Sequence, residues 1–250
     1  MIEQRKWGES SSFGPRQWLR HQLLLDLLVR HVPKGDTRVL DAGCGEGRLA
    51  ELIAEKGFEV TGFDDSEASI AQARARLPEA KFWVGTMDQI KLEDSSVDAV
   101  VSGEVLEHLD DDKAAVREMF RILKPGGTAV VSVPGSQRLW SIDDDWSGHK
   151  RRYAPGGLTS LFEAAGFSTV DCRYWGFPVI YTYYRLYYIQ MLKKRAEQTG
   201  LAGLRPSSFV NSLFALALLP DRLSYLLRLP LGIGLVAVFR KPQASPGVSR

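Results

Sequence analysis

The sequence predicts an α/β protein: a mostly parallel, doubly wound sheet of seven strands with a helical insert before the last strand. Three observations predict it. A glycine-dense turn, Gly43-Cys44-Gly45-Glu46-Gly47, joins the apolar strand Val39-Leu40 to a helix whose inner face is Leu49, Leu52 and Ile53. Apolar runs then alternate with helical patterns, and a parallel sheet wound with helices is the simple solution. Residues that carry chemistry recur where the strands end, at Asp41, Asp64, Thr86 and Glu104, and open parallel sheets bind ligands at those carboxyl ends.

The elements follow in order. Trp18, Leu19, Leu23, Leu27 and Leu28 recur at helical spacing over 15–31, after a loosely ordered 1–14. The helix after the glycine turn runs to Lys56 and stops at Gly57, which relieves a left-handed C-cap. Residues 58–63 form the second strand, and Ser66 or Asp65 caps the next helix. Lys81-Phe82-Trp83-Val84 is the third strand. Residues 98–102 are the fourth, apolar almost throughout, as suits a strand covered on both faces. Asp110, Asp111 and Asp112 suit the positive end of a helix dipole. That helix ends at Leu123, and 128–133 form the fifth strand. Residues 134–153 read as a long loop without structure of its own, a kind of segment that is usually functional. A helix over 155–165, stopped by Gly166, leads to a sixth strand over 168–174. The last strand is 232–239. Between them lies the insert, 178–231, with Tyr181, Tyr183, Tyr184, Tyr187 and Tyr188, then Lys193-Lys194-Arg195. An apolar helix over 209–219 follows, interrupted by Pro220.

The chain of 250 residues reads as a single domain: a core of 16–177 and 232–241, the insert, and a disordered tail, 242–250. Two cysteines, Cys44 and Cys172, make neither a disulfide framework nor a zinc site. The polar start of the chain lacks the apolar stretch of a signal peptide, so the expected location is cytoplasmic. Net charge is only +2, but it is unevenly placed. Residues 1–172 hold 21 Lys/Arg against 28 Asp/Glu, whereas 173–250 hold 11 against 2. This basic end suits a membrane surface, a nucleic acid or an acidic partner.

The glycine turn does not suit a phosphate. Its spacing is neither Gly-x-Gly-x-x-Gly nor that of a P-loop. Asp41 and Glu46 would repel a pyrophosphate but favour a ligand carrying an ammonium and a sulfonium. S-adenosylmethionine (SAM) is such a ligand, and Asp64 at the end of the second strand can accept both of its ribose hydroxyls. With Asp64 downstream, the stretch Val39 through Leu49 resembles the first motif of the class I SAM-dependent methyltransferases, which have a Rossmann-like fold. The Leu123-Lys124-Pro125-Gly126-Gly127 step is also similar to that family. The resemblance implies that Arg20, a basic residue ahead of the first strand, reaches the SAM carboxylate. It places Thr86 where related enzymes often carry an acid facing the adenine, with Met87 packing on the ring. The expected cofactor contacts are therefore Arg20, Asp41, Gly43, Cys44, Gly45, Asp64, Asp65, Thr86, Met87 and Glu104.

Glu104, Glu107 and His108 stand at i, i+3 and i+4, so one turn of helix would bring them together. His149 lies beyond the next strand. Glu104, Glu107, His108 and His149 could ligate Mg²⁺, Mn²⁺, Fe²⁺ or Zn²⁺. The pattern resembles the ubiquinone-biosynthesis O-methyltransferases, of the methyltransferase type 11/12/23 group, and the small-RNA 2′-O-methyltransferases. His108 and His149 are the catalytic candidates, His149 serving as general base if no metal binds. The expected function is SAM-dependent methyl transfer to a hydroxyl of a small-molecule or lipid-like acceptor. The alternatives are an RNA 2′-O-methyltransferase and a non-catalytic SAM-binding scaffold. A nucleic acid is not the expected partner, because the basic residues are interleaved with Tyr and Leu. The insert is expected to lid the acceptor pocket and touch a membrane peripherally. The alternative is that its apolar faces pack on the body or form a homodimer.

Overall fold

A computed structural model describes residues 14–196 and 216–243. Seven strands form one sheet: β1 (Arg38–Ala42), β2 (Glu59–Asp64), β3 (Lys81–Val84), β4 (Val97–Gly103), β5 (Leu123–Pro134), β6 (Ser168–Trp175) and β7 (Gly234–Arg240). Their order is β3-β2-β1-β4-β5-β7-β6. The pairs among β3, β2, β1, β4 and β5 are parallel, and β7 runs antiparallel between β5 and β6. The chain order reverses at β1 and β4, and this is the switch point at which such sheets open a crevice.

Alternate residues of each strand face opposite layers. Val39, Val60, Ala99, Val101, Val236 and Val238 belong to one apolar cluster, shared with helices α1 (Pro15–His31), α2 (Arg48–Ala54) and α3 (Glu67–Arg76). Leu40, Phe63, Val100, Val131, Leu235 and Phe239 belong to the other, shared with α4 (Asp112–Ile122) and α6 (Pro155–Ala164). Phe162 of α6 stacks on Phe239 of β7, with ring centroids 3.9 Å apart.

The segment between β5 and β6 is not a plain loop. It contains a 3₁₀ turn, Gln137–Leu139, and α5 (Ile142–Ser147). Ser141 and Asp144 form a capping box at the start of α5, each side chain accepting the other's backbone N–H or that of its first turn. That Ser-x-x-Asp pattern, followed by Gly148 in the left-handed C-cap conformation, is why a short helix forms there. The fifth strand also starts earlier than expected. Leu123 already pairs with Val97, and a register shift carries the ladder on to Ala99 and Thr128.

The described part of the insert comprises α7 (Val179–Tyr183), a π-turn over Tyr184–Tyr188, α8 (Ile189–Ala196) and α9 (Leu219–Leu226). Ile180, Tyr184, Ile189, Leu218 and Tyr225 join the α1–α3 cluster, so the inner face of the insert packs on the body. The helix does break beside Pro220: residues 216 and 217 are helical, Leu218 is a turn, and a new helix begins at Leu219. Pro220 occupies the first turn of α9, where its missing N–H costs nothing. Most of the expected 209–219 helix lies outside the described residues, as do 1–13, residues 244–250 of the tail and the side chains of Lys193, Lys194 and Arg195. No helix of the described residues is long and apolar enough to cross a membrane.

Candidate active site

The glycine turn folds over the end of β2. The Gly43 and Cys44 N–H groups both donate to the Phe63 carbonyl, each at 2.9 Å. Gly43 has φ +76°, and a Cβ there would lie 2.4 Å from Val105 Cγ2, so the turn rests directly on the segment after β4. Gly45, at φ +52°, has open space where a Cβ would stand. Its N–H donates to Asp64 Oδ2 at 2.9 Å, and the Ser66 N–H donates to Oδ1 at 3.0 Å. Asp64 is thus aimed from β2 into the crevice under the turn. Burial raises its pKa, and these two donors work against the rise. Ser66, not Asp65, caps α3, accepting from the Ser69 N–H; Asp65 is exposed.

Asp41 is 1% exposed, and its Oδ2 has no hydrogen-bond partner among the described residues. Burial, with Asp64 as a second negative neighbour, pushes its carboxyl up to about 7. A backbone hydrogen bond from Ala50 works against the rise, but a buried carboxylate with one oxygen unpartnered is costly, and a cation bound beside it would relieve that cost. Glu104, half-buried, is a second acid with an unpartnered oxygen. It has φ +60° at the end of β4, held by donation of its N–H to the Ser132 carbonyl at 2.9 Å. Non-glycine residues in that conformation cost about 1–3 kcal/mol and cluster at functional sites. Its Oε2 lies 3.7 Å from Arg20 Nη1, while Glu104 Oε1 and Arg20 Nε are both buried without a hydrogen-bond partner. Burial lowers the Arg20 pKa, opposed chiefly by Glu104. An acid and a guanidinium side by side with spare polar atoms match a zwitterionic amino-acid group.

The other expected cofactor contacts divide. Thr86 is exposed beyond β3, whereas Met87 is buried in the α4–α6 cluster. Cys44 is buried, and burial pushes its thiol well up, so it is a packing residue without thiolate character.

The expected metal set resolves into three residues. Glu107, His108 and His149 each offer a ligand atom within 4.8 Å of the others. The Nε2 atoms of His108 and His149 both lie 3.9 Å from Glu107 Oε1, and the imidazoles meet edge to face at 4.8 Å. Glu104 does not join them. The helical turn after β4 is only Leu106–His108, so Glu104 stays in the strand ladder and turns to Arg20. Glu107 is 0% exposed, and neither carboxylate oxygen meets a hydrogen-bond partner outside its own residue. Burial and the nearby Glu104 push its pKa well above the usual carboxylate range.

Behind this trio stands a network that the sequence did not disclose. His149 Nδ1 lies 2.8 Å from Asp144 Oδ1. Asp144 also accepts from Arg152 Nε at 2.6 Å, Arg152 Nη2 at 3.0 Å and the Ser141 N–H at 2.8 Å. Burial would raise the Asp144 pKa, but the hydrogen bonds from His149 and Arg152 outweigh it and hold the carboxyl below its ordinary value. An ionised Asp144 at Nδ1 fixes the tautomer with the proton on Nδ1, leaving an Nε2 lone pair toward Glu107. The insert completes the network. Tyr184 Oη accepts from Arg152 Nη2 at 3.0 Å and meets Ser141 Oγ at 2.9 Å, and Tyr188 Oη donates to Asp143 at 3.2 Å. The capping-box spacing Ser141-x-x-Asp144 was the one signal in the sequence that Asp144 was buried and bonded.

The sheet order with an antiparallel seventh strand, and the acidic glycine turn at the switch point, define the class I methyltransferase fold. Residues 40–131 match the methyltransferase domain family. Over 154 residues it is 40% identical to a protein of Mycolicibacterium smegmatis named as a probable S-adenosylmethionine-dependent methyltransferase, a match covering 61% of this chain and 59% of the relative. It is 35% identical over 126 residues to a ubiquinone biosynthesis O-methyltransferase of Chromobacterium violaceum, covering 48% of this chain and 54% of that one. The chain thus spans somewhat over half the length of these curated relatives. The fold alone is shared with the [4+2]-cyclase SpnF, at TM-score 0.67 and 22% identity, covering 98% of this chain and 88% of that structure.

Proposed function

We propose that the protein transfers a methyl group from SAM to a hydroxyl of a small, lipid-like acceptor, with His149 receiving the hydroxyl proton. The observation that carries the proton step is the His149–Asp144 pair, in which an ionised, buried carboxylate holds Nδ1 and leaves Nε2 in the crevice. SAM supplies a methyl on a sulfonium, an electrophile already activated. The chain's own residues bind, orient and accept the proton. Asp64 accepts the ribose hydroxyls. Arg20 meets the carboxylate, and Glu104 and Asp41 meet the cationic groups; the unpartnered atoms of all three fit such a ligand. As the acceptor hydroxyl loses its proton to Nε2, Asp144 stabilises the imidazolium that forms. The hydroxyl target has support in the O-methyltransferase likeness, and the tyrosine-bearing insert lids the acceptor pocket.

One observation favours a second reading of the same residues. Glu107 carries two buried, unpartnered oxygens beside two histidine Nε2 atoms, and Asp144 buttresses His149 as carboxylates do behind metal-bound histidines. Glu107, His108 and His149 would hold a divalent ion, which would lower the pKa of the acceptor hydroxyl. The test is methyl transfer from labelled SAM into lipid and aqueous extract fractions, before and after chelation. Label in a chelator-resistant product supports His149 as base. Loss with chelator and recovery with Mg²⁺, Mn²⁺ or Zn²⁺ supports the ion. Binding of S-adenosylhomocysteine with no labelled product in any fraction would leave a SAM-binding scaffold.

A further inference from the structure

We infer that the outer face of α9 is a docking surface for an anionic phospholipid bilayer. The helix has two unlike faces. Leu218, Asp221, Ser224 and Tyr225 are buried against the body. Opposite them, Leu216, Leu219, Leu223, Leu226 and Leu227 stand between 53% and 68% exposed. At 100° per residue the last four share one arc of the helix surface, about 100° wide, and Leu216 precedes the turn at Leu218. Leu229 and Leu231, also exposed, continue the apolar surface past the helix end. A soluble helix normally turns such an arc inward. Here the inward arc is already filled by other residues, so the leucine arc is surplus to the core.

The surroundings name the occupant. Arg222 of α9 pairs with Asp26 at 3.0 Å, and Arg173 and Arg228 share Asp171 at 2.5 and 3.9 Å. Arg30 acts on both Tyr225 and His31, and Arg240 donates to the His31 carbonyl. Arg30 and Arg173 thus sit with Asp26 and Asp171 around the buried Tyr225, while Arg222 lies on α9 itself and the exposed Arg228 just past its end, where the leucine arc continues. The whole 173–250 segment holds 11 Lys/Arg against 2 Asp/Glu. A purely aliphatic arc without aromatic anchors, flanked by surplus cations, matches acyl chains under anionic headgroups. A protein partner would instead ask for aromatic anchors and a directional polar rim. At eight residues α9 lies in the interface rather than across it.

This docking deepens the proposed action on a lipid-like acceptor and rests on that reading for its purpose, though its chemistry stands apart. Asp221, on the inner face of α9, accepts the Val179 and Ile180 N–H groups at 2.6 and 2.9 Å. The helix that would touch lipid therefore holds the start of the α7–Tyr184 segment, which contacts the Asp144 network.

The test is flotation of the full-length chain with vesicles of phosphatidylcholine alone and with 3:1 phosphatidylcholine to phosphatidylglycerol, roughly a quarter anionic as in charged leaflets. The variant Leu219→Asn/Leu223→Asn/Leu226→Asn runs in parallel, because its exposed positions can change without opening the core. Expected is flotation with the anionic vesicles, weakened by raised salt, and at least tenfold weaker binding by the variant. Titration with S-adenosylhomocysteine in the absence of vesicles checks that the variant is folded, and separately tests the methyl-transfer reading. Failure of the wild type to float with anionic vesicles overturns the docking proposal. So does a variant that floats equally well, or a solution dimer that the variant dissociates, which would give the leucine arc to a second copy.

Discussion

Asp41 is buried beside Asp64 in the cofactor half of the site, and the Ala50 backbone N–H only partly offsets the burial of its charge. Its folded pKa, about 7, lies above the ordinary carboxyl value, so the folded chain binds a proton more tightly than the unfolded one. Its contribution to stability is complete below the unfolded pKa and is lost as pH rises from there to about 7. In Asp41→Asn the slope from this group disappears. Thermal melts should show the variant higher than wild type by a few degrees at pH 8 and nearly equal at pH 4, with S-adenosylhomocysteine affinity reduced. A variant that melts below wild type at pH 8 would mean that Asp41 is ionised and supported in the free protein. Asp144 is the opposite case, an acid held ionised by its partners. In Asp144→Asn the carboxamide no longer fixes Nδ1–H. Nitrogen NMR of His149 should shift from one tautomer to a mixture, and divalent-ion affinity, if an ion binds, should fall by about 10–100-fold. An unchanged imidazole spectrum would remove Asp144 from its positioning role.

At the scale of elements, the glycine turn and the acids at strand ends were legible because local rules determine them. A buried strand, a turn that needs positive φ and a capped helix each leave a mark within a few residues. Two features were not legible. Glu104, Glu107 and His108 have the spacing of one helical turn, but hydrogen bonding of Glu104 to Ser132 on β5 keeps it out of that turn. The bond is between strands, so no local pattern reports it. Asp144 lies in a segment that reads as a loop without structure of its own, yet Arg152 and His149, supplied by the returning loop, hold it in a network. The aromatic and charged residues of the long segment before β6 point to function, but they do not disclose the 3₁₀ turn and α5 that it contains. Asp221 works across elements in the same way, its carboxylate taking the two free N–H groups at the start of α7. Asp221→Ala should destabilise the protein by about 1–3 kcal/mol. Hydrogen exchange should quicken over residues 179–188 and stay unchanged in β1 and β4. Uniform quickening across the sheet would show that the insert and the core unfold as one unit.

At the scale of the molecule, one sheet separates two apolar layers and aims its carboxyl ends at a single crevice. Asp41, Asp64, Glu104 and the Glu107–His108–His149 trio come from the ends of β1, β2, β4 and β5 or the loops that follow. The insert adds a third contribution by packing Tyr184 against the loop network while presenting leucines outward. Everything proposed about transfer depends on one claim, that the crevice under the glycine turn binds SAM and its product. Isothermal titration of the metal-free chain with S-adenosylhomocysteine tests it most directly. The account predicts one site per chain, with Asp64→Ala weakening binding by about 5–150-fold, the loss of a charged hydrogen-bond partner worth about 1–3 kcal/mol. Binding of NAD without binding of S-adenosylhomocysteine would contradict it.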